Sequence, residues 1–167
     1  MALKSILIGF SLTVLSALQV ANAQDESLYE AGHGALQKFG SSAGIAATQL
    51  WVQIWLVILG ICLLSSVFFV KRHAVARWVI GGIIVSIPLT PVLVRSLGFP
   101  FLGGAIALGH LIFWMPAFLM LIFQRPFLDE SHSKQFRIWS GAMTAAYAFS
   151  FIFDIRDTYI YLGHVLG

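Results

Sequence analysis

Residues 47–70, ATQLWVQIWLVILGICLLSSVFFV, run for twenty-four positions without a charged side chain and meet Lys71, Arg72 and His73 at their end. A helix of that length rises about 36 Å, enough to cross a hydrocarbon core about 30 Å thick. Three further apolar runs follow, at 78–96, 100–123 and 137–157, and the polar stretch between the last two carries Arg125, Asp129, Glu130 and Lys134. The sequence therefore predicts an all-α integral membrane protein, a four-helix up-down bundle within 47–167.

Composition agrees. Of the 167 residues, 59% are hydrophobic and only 10% charged, against about 45–50% and about 25% in soluble domains. Mean hydropathy is +0.88. A soluble enzyme, a disordered tail and a nucleic-acid binder all fit poorly. The net charge of +3 comes from scattered basic residues that form no patch. A single cysteine, Cys62, excludes an internal disulfide framework and a multi-cysteine metal site.

Residues 1–23 read as a secretory signal peptide. Lys4 supplies the positive start, Ile6 to Leu18 the apolar segment of thirteen residues, and Ala21-Asn22-Ala23 the small-x-small cleavage pattern. Thirteen residues are short for a spanning helix, although an uncleaved anchor acting as a fifth span is the competing reading. Basic residues set the orientation. Lys71, Arg72, Arg77, Arg125, Lys134 and Arg137 fall on two connections, whereas the opposite side holds Lys38, Arg95 and Arg156. This bias places both mature termini on the periplasmic side of a bacterial-type inner membrane. Trp51, Trp55, Trp78 and Trp139 stand near span ends as aromatic anchors, while Trp114, inside the third span, is expected to pack against a helix or lipid.

The tail 24–46 precedes the first span. Ser27-Leu28-Tyr29-Glu30 fits a capping box, and Leu28, Gly32, Ala35, Leu36 and Phe39 share one helical face. An amphipathic helix on the outer membrane boundary is expected, with docking across the bundle mouth as the alternative.

Polar groups within apolar spans are the informative ones, since each must find a partner in hydrocarbon. His110 falls about 15 Å into the third span, near the midplane. Tyr147, Thr144, Ser86, Cys62 and Ser65 are its expected neighbours in depth. It either holds helices in register or serves as a proton relay, substrate contact or cofactor ligand. Asp154 and Asp157 lie three apart on one face of span four, with Arg156 pointing elsewhere. About 25 Å along that span, they reach the outer margin at a depth comparable with Arg95. Arg95, Asp154, Arg156 and Asp157 thus make an outer-mouth cluster, which either marks the boundary or binds a cation or substrate. His33 or His164 could add a metal ligand, though no spacing requires one.

No catalytic, cofactor or metal residue is assigned. Haem is not expected, because His110 is the one mid-span histidine and no Cys-x-x-Cys-His occurs. Phosphate loops, nucleophile elbows and zinc helices are missing. Pro88, Pro91 and Pro116 are expected to kink spans two and three. Gly103-x-x-x-Ala107 and Gly141-x-x-x-Ala145 would permit close helix approach.

The expected role is non-enzymatic: an accessory, structural or assembly subunit of a membrane complex. Its partners would be the lipid bilayer and another membrane protein or a second copy, with no nucleic acid. The alternatives are a small oligomeric transporter or channel component using His110 and the acidic cluster, and an intramembrane enzyme acting on a lipid or quinone through Asp154 or Asp157.

Overall fold

Apolar runs of this length can satisfy their backbone amides and carbonyls only internally when removed from water, which favours helix throughout. The computed structural model describes residues 34–37 and 50–167, and every long element in them is helical. In chain order these are α1 (Leu50–Ser65), α2 (Ala74–Ser96), α3 (Gly103–Phe113), α4 (Met115–Gln124) and α5 (Lys134–Leu166). Two single 3-10 turns, Gly34–Leu36 and Ser66–Phe68, complete the set, with no β-strand among the described residues. The signal peptide at 1–23, the capping box at Ser27–Glu30 and His33 lie outside the described residues.

Three helices are long and apolar enough to cross a membrane: Leu50–Phe68, Ala74–Ser96 and Lys134–Leu166. The third expected span is a bent pair, α3 and α4, meeting at 44°. Pro116 explains the break. Its ring nitrogen has no hydrogen for the Ile112 carbonyl, and it occupies the first turn of α4, where a missing donor is tolerated. Pro88 and Pro91, by contrast, lie inside α2 without dividing it.

Helix ends depart from the expected limits for local reasons. α2 begins at Ala74, ahead of the expected 78, because Val75 and Ala76 are buried in the core. α3 begins at Gly103 and not at 100. Phe101 and Leu102 are apolar and buried but outside the helix, with Leu102 extended, and they pack with Val94 and Tyr161 in a small second core. Gly98, at φ 76°, makes the left-handed turn that leads into this stretch. α4 stops at Arg125, whose φ of 47° is also left-handed and whose N–H bonds to the Leu121 carbonyl. Ser133 caps α5 by accepting from the Phe136 N–H.

α5 is the spine. It runs on past the expected end at 157 to Leu166, and its 33 residues rise about 50 Å. Apolarity sets the minimum span but not the helix end: beyond the charged 154–157 segment, buried Tyr161 donates its hydroxyl to the Pro100 carbonyl at 2.9 Å. α3 packs most extensively on α5, and both α2 and α4 pack on the α3–α5 unit. Gly104 and Gly109 make this possible. A Cβ on Gly104 would strike Tyr161 and the Asp157 carbonyl, and one on Gly109 would strike Thr90. Of the expected small-residue pairs, Gly103 abuts the Gly34 carbonyl, whereas Gly141 has room beside Phe127.

The main core joins Leu59, Val79, Ile83, Trp114, Leu121, Phe136, Trp139, Met143 and Tyr147. α1 is its most peripheral member, with only Leu59 and Leu63 buried. Trp51 and Trp55 lean on Phe153 and Phe149 of α5, with ring centroids 5.8 and 4.5 Å apart. Trp78 is exposed. Trp139 is buried instead and donates to the Cys62 carbonyl, so it ties α5 to α1.

Candidate functional site

The most unusual polar contact joins α3 to α5. His110 Nδ1 lies 3.2 and 3.3 Å from the two carboxylate oxygens of Asp154. Their side chains are 23% and 13% exposed. By the expected span limits the two residues stand apart, His110 near the midplane and Asp154 at the outer margin. The structure corrects this, because both helices begin and end elsewhere. His110 is only seven residues, about 10 Å, from the start of α3, and α5 continues twelve residues beyond Asp154.

The imidazole is held from a second side. Trp114, one turn along, stacks on it with centroids 3.8 Å apart and planes 20° from parallel. Trp114 is itself anchored across to α2, since its indole N–H donates to Ser86 Oγ at 3.2 Å and Ser86 donates to the Ile83 carbonyl. A chain of contacts therefore runs Ser86, Trp114, His110, Asp154, through α2, α3 and α5. Accepting from Nδ1–H, the carboxylate sets the neutral tautomer so that Nε2 is left as an acceptor. With the ring protonated, the same contact becomes an ion pair. The arrangement can hold and orient one proton.

Along α5 the pair sits on a polar ridge. Tyr147, Ser150, Asp154, Thr158 and Tyr161 recur at three- and four-residue intervals and share one face. The hydroxyls of Tyr147, Ser150 and Thr158 are buried without a hydrogen-bond partner among the described residues. Tyr147 does not reach His110 as a partner; it packs its ring between Trp114, Phe118 and Phe151. Thr144 and Ser65 turn back onto their own helices, bonding the Ser140 and Cys62 carbonyls. Two residues expected near His110 are thus satisfied locally.

Arg156 and Asp157, which the sequence groups with Asp154, are more exposed than the pair. Arg156 Nη1 is 3.9 Å from Asp157 Oδ1, and Arg156 is exposed. Arg95 is half-buried in the last turn of α2, and His164 is exposed in the last turn of α5. No group of three or more potential metal ligands occurs among the described residues.

A second cluster, for which the sequence suggests no role, lies at the opposite end. His73 stacks face to face on Phe136 at 3.4 Å and meets His132 edge-on at 5.2 Å. His132 Nε2 is 3.7 Å from Asp129 Oδ2. Burial, followed by the nearby His132, Arg72 and Arg77, pushes the His73 imidazole below the ordinary histidine range. Asp129 is held below the usual carboxylate range by the hydrogen bonds from Ser131.

No protein-family model, curated protein or solved structure matches the chain.

Proposed function

We propose that the chain is a four-span inner-membrane protein, its signal peptide removed and its mature termini periplasmic, acting as an accessory or assembly subunit of a membrane complex. The up-down arrangement counts α3 and α4 as one bent crossing. One observation carries the subunit reading: α1 contributes little to its own bundle. Only Leu59 and Leu63 of its sixteen residues are buried, while Leu50, Ile54, Val57, Ile58, Ile61 and Leu64 are all exposed. Lipid solvates such a face as well as protein does, so burial alone gives no drive for helix association. A helix that packs so little within its own chain nevertheless leaves a continuous wall open to another membrane protein.

Cysteine-directed cross-linking in intact membranes tests this. With Cys62 replaced by Ala, a cysteine introduced by Val57→Cys or Ile61→Cys is expected to give one discrete higher-mass product. Val92→Cys, on the exposed side of α2, serves as the comparison. Equal, diffuse labelling at all three sites, with a monomer on mild detergent extraction, would remove the reading.

A second reading is favoured by the His110–Asp154 contact: a small proton-linked transporter component. Purified protein in vesicles enclosing a pH indicator separates the two. Proton flux lost on Asp154→Asn supports transport, whereas no flux in the unaltered protein leaves the pair a structural clamp.

A further inference from the structure

α2 passes the bend between α3 and α4 with two adjacent glycines, Gly81 and Gly82, at the crossing. Gly82 is in tight contact there, because a Cβ on it would lie 2.8 Å from the Phe113 carbonyl and 3.3 Å from the Trp114 ring. Gly81, beside it, has open space where a side chain would stand. The result is a groove of about 310 Å³ walled by Gly81, Gly82, Val85, Ile112, Phe113 and Pro116. Arg77 and Trp78 stand at one end. The geometry points to a binding site for one anionic phospholipid, its acyl chain in the groove and its phosphate against Arg77.

Charge and dimension select this occupant. Arg77 is exposed, and its Nη1 donates to the Val70 carbonyl at 3.1 Å, which keeps the guanidinium beside the 69–73 turn. Lys71 and Arg72 are exposed on that turn. No Asp or Glu occurs between Glu30 and Asp129, so the stretch forming this mouth carries only positive charge. The next acidic residue along the chain after this stretch is Asp129, which faces His132. From Arg77 to Val85 a helix rises about 12 Å, close to the depth of one leaflet's hydrocarbon. Trp78, 53% exposed, belongs at the headgroup level that this places beside the mouth. A neutral lipid would gain the walls but not the charge. A soluble anion would gain the charge but leave an apolar groove empty.

The site rests on the chain being embedded in a bilayer, so retention in the membrane pellet under alkaline carbonate is established first. Release there would overturn both the membrane reading and this one; every later failure touches the lipid site alone. The full chain, in a mild detergent, is then offered equimolar phosphatidylglycerol and phosphatidylcholine, and retained lipid is counted by native mass spectrometry. One phosphatidylglycerol per chain is expected, well in excess of phosphatidylcholine. Arg77→Gln should lower its retention about fivefold, the worth of one basic side chain at an anionic lipid surface. Arg77→Lys should restore part of it. Gly81→Leu fills the groove and should abolish retention, whereas Gly60→Leu, which also meets open space on α1, should leave it unchanged. If Gly81→Leu does not fold, the Arg77→Gln and Arg77→Lys pair decides. Equal retention of the two lipids, or a preference that survives Arg77→Gln, overturns the proposal.

Discussion

His110 and Asp154 are each incomplete without the other. A carboxylate removed from water needs donors, and an imidazole between helices needs its tautomer fixed. Their contact is largely but not wholly buried, at 23% and 13% exposure, so water still screens part of it. Removing one partner should therefore cost about 1–3 kcal/mol, the range for leaving a buried polar group unsatisfied. His110→Leu and Asp154→Asn are each expected to lower thermal stability in detergent. The double variant should be less destabilised than the two losses added together, because the second change no longer strands a partner. Strict additivity would show that the contact contributes nothing as a pair.

At the scale of the element, glycine decides how close α3 comes to its neighbours. Gly104→Ala would press on Tyr161 and the Asp157 carbonyl, and Gly109→Ala on Thr90. Each should destabilise by about 1–3 kcal/mol, as overpacking does. Gly60→Ala and Gly81→Ala meet open space and should instead be neutral or stabilising by about 0.5–1 kcal/mol. Unfolding curves for the four variants would check the division, and equal effects would refute it. Apolar length and the charged connections made the helices legible in the sequence, and Pro116 made one break legible. Which helix faces meet was not, since every span is apolar on nearly all sides and carries little amphipathic signal. The outcome for the polar residues follows from this. His110 and Asp154 were both identifiable as costly groups, yet their pairing depended on where α3 starts and how far α5 continues. One pattern pointed to it: Tyr147, Ser150, Asp154, Thr158 and Tyr161 repeat at helical spacing, marking one face of α5 as the polar seam.

Across the whole molecule, the ends of the bundle differ in chemistry. One carries the histidine cluster of His73 and His132, packed on Phe136. The folded state holds His73 below its unfolded value, so between those two values the unfolded chain binds more protons and stability rises with pH. The stabilisation is complete above about pH 6.5 and is lost as the pH falls through the depressed value. Melting temperatures between pH 5 and pH 7.5 should thus increase with pH, and His73→Gln should flatten the slope. An unchanged slope in that variant would assign the effect elsewhere.

The other end is closed by the turn Gly34–Leu36. Gln37 accepts from the Gly103 N–H at 2.8 Å, and Leu36 packs with Val94, Phe101, Leu102 and Tyr161. Tyr161 leaves the ribosome more than a hundred residues after Leu36. The seat for this early segment therefore does not exist until α5 has been synthesised and threaded into place. Contacts of such long sequence separation form late, because a large loop must close first. Protection of residues 34–37 from protease would accordingly mark the moment at which α5 has docked.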